Sequence, residues 1–135
     1  SNLEYVDAKD TSRVVRRWTS SSYGPGKFKN EWMPPHPTFF ARRELYEKYG
    51  MFTNKLSIAA DYELMLRFIE KYKVRTCYIP RVMVKMRTGG ASNRNIKNII
   101  RANVESYRAW KMNGLRISPL RILLKPLSKI IQLFK

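Results

Sequence analysis

Apolar side chains recur at helical spacing along residues 57 to 71. Ile58, Tyr62, Met65, Ile69 and Tyr72 form one stripe, and Glu63, Arg67, Glu70 and Lys71 form a charged face beside it. The pattern predicts an amphipathic helix from Ser57 to Lys71, with Ser57 as its N-cap. Before it, Leu3–Asp7 and Ser12–Trp18 read as two strands of a hairpin, joined by the turn Asp7–Asp10. Aspartates in such a turn commonly bond their own backbone and are not taken as a metal pair. A serine- and glycine-rich loop, Thr19–Lys27, leads to a helical turn over Phe28–Met33. Pro34-Pro35-His36-Pro37 then forces an extended path, and Thr38–Ala41 is predicted to continue as a buried strand. Arg43–Tyr49 reads as a short helix stopped by Gly50, with Met51 and Phe52 packing behind it.

Downstream, Val74–Ile79 and Val82–Met86 read as strands around Pro80, and Arg87–Ser92 as the loop leaving the sheet. Asn93–Asn113 follows as a long helix ending at Gly114, with Ile96, Ile99, Ile100, Val104, Tyr107 and Trp110 expected to face the core. These elements predict an α+β fold in which helices pack on a small mixed or antiparallel sheet. From Leu115 to Lys135 the chain has no acidic residue and mixes Leu, Ile and Phe with lysine and arginine, bent at Pro126. The first expectation for this segment is an amphipathic piece lying on an anionic membrane surface; the second is a helix packed back on the domain.

Composition narrows the functional classes. With 135 residues, 44% of them hydrophobic, the chain suffices for one core and not for two. Cys77 is the sole cysteine, which excludes an intrachain disulfide and a cysteine metal cage and fits a reducing compartment. Its place in a strand-like run suggests a small buried hydrophobe. No apolar run is long enough to span a bilayer. The net charge of +17 is uneven: residues 1–70 hold 11 Lys+Arg against 9 Asp+Glu, while residues 71–135 hold 16 against Glu105 alone. Such a second half seeks an anion: nucleic acid, the phosphates of an activated substrate, or an acidic membrane.

Candidate chemistry centres on the 57–71 helix. Asp61 and Glu63 are two positions and about 200° apart, so they cannot form a paired acid/base dyad. Glu63 precedes Arg67 by four residues, the favourable orientation for a surface ion pair, whereas Asp61 shares its flank with Leu64, Met65 and Phe68. Asp61 is therefore the candidate, against the plainer reading that it only favours the positive helix N-terminus.

The blocks Pro35-His36-Pro37-Thr38-Phe39-Phe40, Leu45–Phe52, Ala60–Arg67 and Met86–Ser92 resemble, in order and spacing, the C-terminal half of bacterial family 2 glycosyltransferases. The resemblance covers about residues 3 to 114 and implies the acceptor-side portion of a GT-A fold, with 115–135 as a basic amphipathic addition. It implies that Asp61 is the base that deprotonates an acceptor hydroxyl in an inverting transfer. It puts His36 near the acceptor, and Arg87, Gly89, Gly90 and Ser92 in a loop that holds the leaving diphosphate. A glycine turn entering a helix capped by Ser92 explains that loop equally well. No Asp-x-Asp metal motif or nucleotide-binding strand–helix repeat is found, so the segment by itself contributes no metal site and is expected to be inactive in isolation. The nucleotide-sugar donor and its divalent metal, Mg or Mn, are expected to be held by a donor half of the full-length enzyme.

What the resemblance implies for biology is a cytoplasmic protein, peripheral at the inner face of the membrane, that serves cell-surface polysaccharide or glycolipid synthesis. Sheet edges exposed without the donor half would suit homo-oligomerisation. Two rival classes are a basic nucleic-acid-binding module and a non-catalytic membrane-surface adaptor. Nucleic acid is disfavoured because no RNP-like run, zinc spacing or basic heptad region is present.

Overall fold

The computed structural model describes residues 1–30, 32–89 and 96–118. Among them the fold is α+β, with a three-stranded mixed sheet and three α-helices. β1 (Asn2–Val6) lies at the centre of the sheet, β2 (Val14–Trp18) pairs with it antiparallel, and β3 (Val82–Arg87) pairs with it parallel. The hairpin forms as its sequence suggests. Asp7 Oδ1 accepts from the backbone N–H of Lys9 and Asp10 at 2.8 and 3.1 Å, and Asp10 Oδ1 accepts from Ser12, so both aspartates serve the turn. On β1, Glu4 stands in register between Arg17 and Lys85 and is buried, its carboxylate 2.9 and 4.0 Å from their side-chain nitrogens. The central strand thus carries an anion flanked by cations, an opposite-charge pairing that suits adjacent strands.

The core is built on the central helix. α2 (Ala60–Met65) runs on without a break into a π-helical turn, Leu66–Lys71. Tyr62, Leu64, Met65, Leu66, Phe68 and Ile69 are buried and join Phe28, Leu56, Ala59, Ala109 and Trp110 in one cluster. The predicted division into an apolar stripe and a solvated face is corrected here. Glu63 and Glu70, read as outward, are only 3% and 6% exposed, whereas Tyr72, read as part of the stripe, is 40% exposed. The carboxylates go inside because each finds partners there: Glu63 bonds Arg67 and Asn113, and Glu70 accepts from the Tyr23 hydroxyl and lies 3.6 Å from Lys73.

α1 (Arg43–Tyr49) has the predicted bounds and ends where Gly50 adopts φ +91°, with its N–H bonded to Tyr46 O. A Cβ at Gly50 would sit 2.8 Å from Arg67 Nη1 and displace that guanidinium, and the positive φ strains any side chain there. Phe52 is half exposed but sets its ring 6.3 Å from that of Tyr46 on α1, whereas Met51 is exposed, and Arg67 bonds the carbonyls of Tyr49 and Met51.

Two predicted strands are absent. His36–Thr38 is a 3-10 turn, and Phe40 beyond it is exposed; Thr38 Oγ1 bonds Pro35 O at 2.9 Å and Ser1 O at 3.1 Å, which folds the chain over the start of β1. Val74–Ile79 joins no ladder. Its ends are tied by Val74 N–H to Phe68 O and by the Tyr78 hydroxyl to Asn2 Oδ1, and Cys77 between them is exposed, not buried.

α3 (Ile96–Met112) ends at Gly114, whose φ is +68°. Its packed side is Glu105, Ala109, Trp110 and Asn113, while Ile99, Ile100 and Val104, expected in the core, are exposed. Among the described residues, the C-terminal part of the predicted apolar face is the part that packs on the core. The proposed start of this helix at Asn93 and the segment from residue 119 onward lie outside the described residues.

Candidate functional site

His36 and Asp61 come from two separate stretches and meet at the start of α2. Prolines on both sides of His36 restrict its backbone, and buried Pro35 anchors the 3-10 turn that presents the imidazole. Asp61 stands in the first turn of α2. His36 Nδ1 lies 3.2 Å from Asp61 Oδ2, and Asp61 Oδ1 accepts from the Tyr62 N–H at 2.7 Å. With side-chain exposures of 43% and 32%, the pair opens to solvent and remains reachable by a ligand. Oδ1 takes the Tyr62 N–H and keeps a second lone pair, while Oδ2 faces the imidazole, so the group can accept a proton from a hydroxyl brought against it.

The start of α2 is held from a distance. Ser57 does not cap the helix. Its hydroxyl instead donates to Glu105 Oε1 at 3.0 Å, while Glu105 Oε2 accepts from the backbone N–H of Ile58 and Ala59 at 2.7 and 3.0 Å. A carboxylate from α3 thus supplies the negative charge and acceptors that the N-terminal end of α2 requires. Burial alone would raise the Glu105 carboxyl, but the bonds from Ile58, Ala59, Ser57 and Arg101 together hold it below its ordinary value. Sequence reasoning did not assign Glu105 this role. The signal was its isolation as the single acid in the basic second half.

Behind Asp61, the Tyr62 hydroxyl accepts from Trp110 Nε1 at 2.8 Å. Burial pushes Tyr62 up to about 12, against the lowering effect of the Trp110 bond and with a further push from the Glu70 charge. Tyr62 therefore stays a neutral structural phenol, which fixes the helix carrying Asp61 against α3.

Arg87 is exposed, closes β3 and pairs in register with Val6. Gly89 has φ +103°, the left-handed backbone expected of a glycine turn. Gly90 and Ser92 lie outside the described residues. Among the described residues no group of three His, Cys, Asp or Glu side chains could hold a metal ion, and no helix is long and apolar enough to cross a membrane. No family model, no curated protein and no solved structure matches the chain.

Proposed function

We propose that this chain is the acceptor-side portion of an inverting family 2 glycosyltransferase, with Asp61 as the base and His36 as the residue that holds it. The observation that carries this reading is the His36–Asp61 pair: two residues from separate blocks of the sequence resemblance lie 3.2 Å apart. In the reaction, Asp61 takes the proton of an acceptor hydroxyl as that oxygen attacks the anomeric carbon of a nucleotide-sugar. The bond to the nucleoside diphosphate breaks, and the configuration inverts. His36, with Nδ1 3.2 Å from Oδ2, fixes the carboxylate orientation. The donor, with its Mg or Mn, belongs in this reading to a nucleotide-binding half, and Arg87 with Gly89, Gly90 and Ser92 would neutralise the departing diphosphate when that half is in place. The acceptor belongs to cell-surface polysaccharide or glycolipid synthesis, at the cytoplasmic face of the membrane.

The test is sugar transfer by a full-length protein containing this segment and a donor half. Asp61→Asn is expected to lower turnover by about 10² to 10⁴ while donor binding is retained. Turnover close to that of the parent protein would remove Asp61 from the mechanism.

A further inference from the structure

The outward face of α3 is not part of the site, and the described residues leave it exposed. Lys97, Ile100, Arg101, Val104 and Arg108 follow one another at helical spacing on the side away from Ala109 and Asn113. With Lys55, from the loop before α2, they line an open cavity of about 430 Å³. Ile100 and Val104 are 58% and 45% exposed, so its floor is apolar and wet. The rim is cationic. Among the described residues Glu105 is the one acid in the lining; it is buried, its oxygens bond the start of α2, and it pairs with Arg101, whose Nε lies 3.0 Å away.

We infer that this face of α3 docks on an anionic lipid surface, with Lys55, Lys97, Arg101 and Arg108 among the headgroups and Ile100 and Val104 at the acyl boundary. Charge complementarity selects the occupant. A second copy of a chain with net charge +17 is repelled, and residues 119–135 carry lysine and arginine but no acid, the same sign as the rim. Single-stranded nucleic acid would match the charge, but among the described residues no aromatic side chain lines the cavity on which bases could stack. A helix with branched aliphatic residues between basic ones, lying flat, is the arrangement that an acidic bilayer interface accepts. The inference is independent of the transferase reading, since it uses neither Asp61 nor His36.

The experiment uses the full 135-residue chain with vesicles of phosphatidylcholine alone, or with 30 mol% phosphatidylserine, a fraction of about the physiological order. Binding is expected only to the acidic vesicles. Lys97→Gln with Arg108→Gln changes two exposed positions and should weaken that binding by about 30-fold with an unchanged circular dichroism spectrum. A polarity-sensitive dye on Val104→Cys, in a Cys77→Ser background, should shift to the blue on acidic vesicles and stay unshifted on neutral ones. Unchanged affinity of the double variant, or a dye that stays in water while the chain floats, would overturn the proposal by assigning the contact to another segment. Displacement of the chain from the vesicles by an equal charge of single-stranded DNA that also shifts the dye would overturn it in favour of nucleic acid.

Discussion

Replacing Glu63 with glutamine removes a charge that Arg67 and Asn113 hold inside the protein at 3.1 and 2.9 Å. It leaves the Arg67 guanidinium, only 13% exposed, without its counter-charge, and breaking such a buried pair costs about 3 kcal/mol. Asp61→Asn disturbs a pair whose side chains are 43% and 32% exposed and should cost less than about 1 kcal/mol. Urea unfolding of the two variants checks the contrast, and equal losses would mean that Glu63 is solvated in solution. The reversal shows what a local pattern leaves open. Glu63 four residues before Arg67 looks the same on a solvated face and in a core, and the deciding partner, Asn113, lies 50 positions away. Asp61 stands out in the sequence as a candidate because Leu64, Met65 and Phe68 share its flank, whereas its closeness to His36, 25 positions earlier, leaves no local trace.

The junction of α2 and α3 gives a pH dependence with a definite sign. Because Glu105 is held below its ordinary value of 4.5, it binds fewer protons folded than unfolded. Its stabilisation is fully present above about pH 4.5 and is lost as the pH falls through the lower folded value. Glu105→Gln, which keeps the shape but not the charge, should cost about 2 kcal/mol at neutral pH and flatten the stability profile below pH 4.5. Thermal melts of both proteins from pH 3 to 7 test this, and parallel profiles would remove Glu105 as the titrating group. At this scale the helix ends were legible where glycine sets them, at Gly50 and Gly114, because a positive φ is a local requirement. The start of α2 was not, because its cap comes from another helix.

For the molecule as a whole, a net charge of +17 on 135 residues dominates. The buried carboxylates Glu4, Glu63, Glu70 and Glu105 are already matched by cations, so the excess positive charge stands on the surface and repels itself. Raising sodium chloride from about 20 to 200 mM shortens the screening length to below about 10 Å and should raise the melting temperature. A fall would mean that exposed pairs such as Arg43–Glu47 outweigh the repulsion. The α+β class and the hairpin were legible from alternation and turn residues. The parallel pairing of β1 with β3 was not, nor the failure of Val74–Ile79 to join a ladder, since strand partners distant in sequence leave no local trace.

The carboxylate that caps α2 also sets an order of events in folding. Ile58 and Ala59 meet Glu105 across separations of 47 and 46 residues, so the start of α2 is completed only after a loop of that size has closed. α2 itself has 6 residues, too few to persist alone. Its formation and the arrival of α3 should therefore belong to one transition state and not to successive steps. Glu105→Gln should accordingly slow refolding more than it speeds unfolding, and the chain should have no stable central helix until α3 has been synthesised.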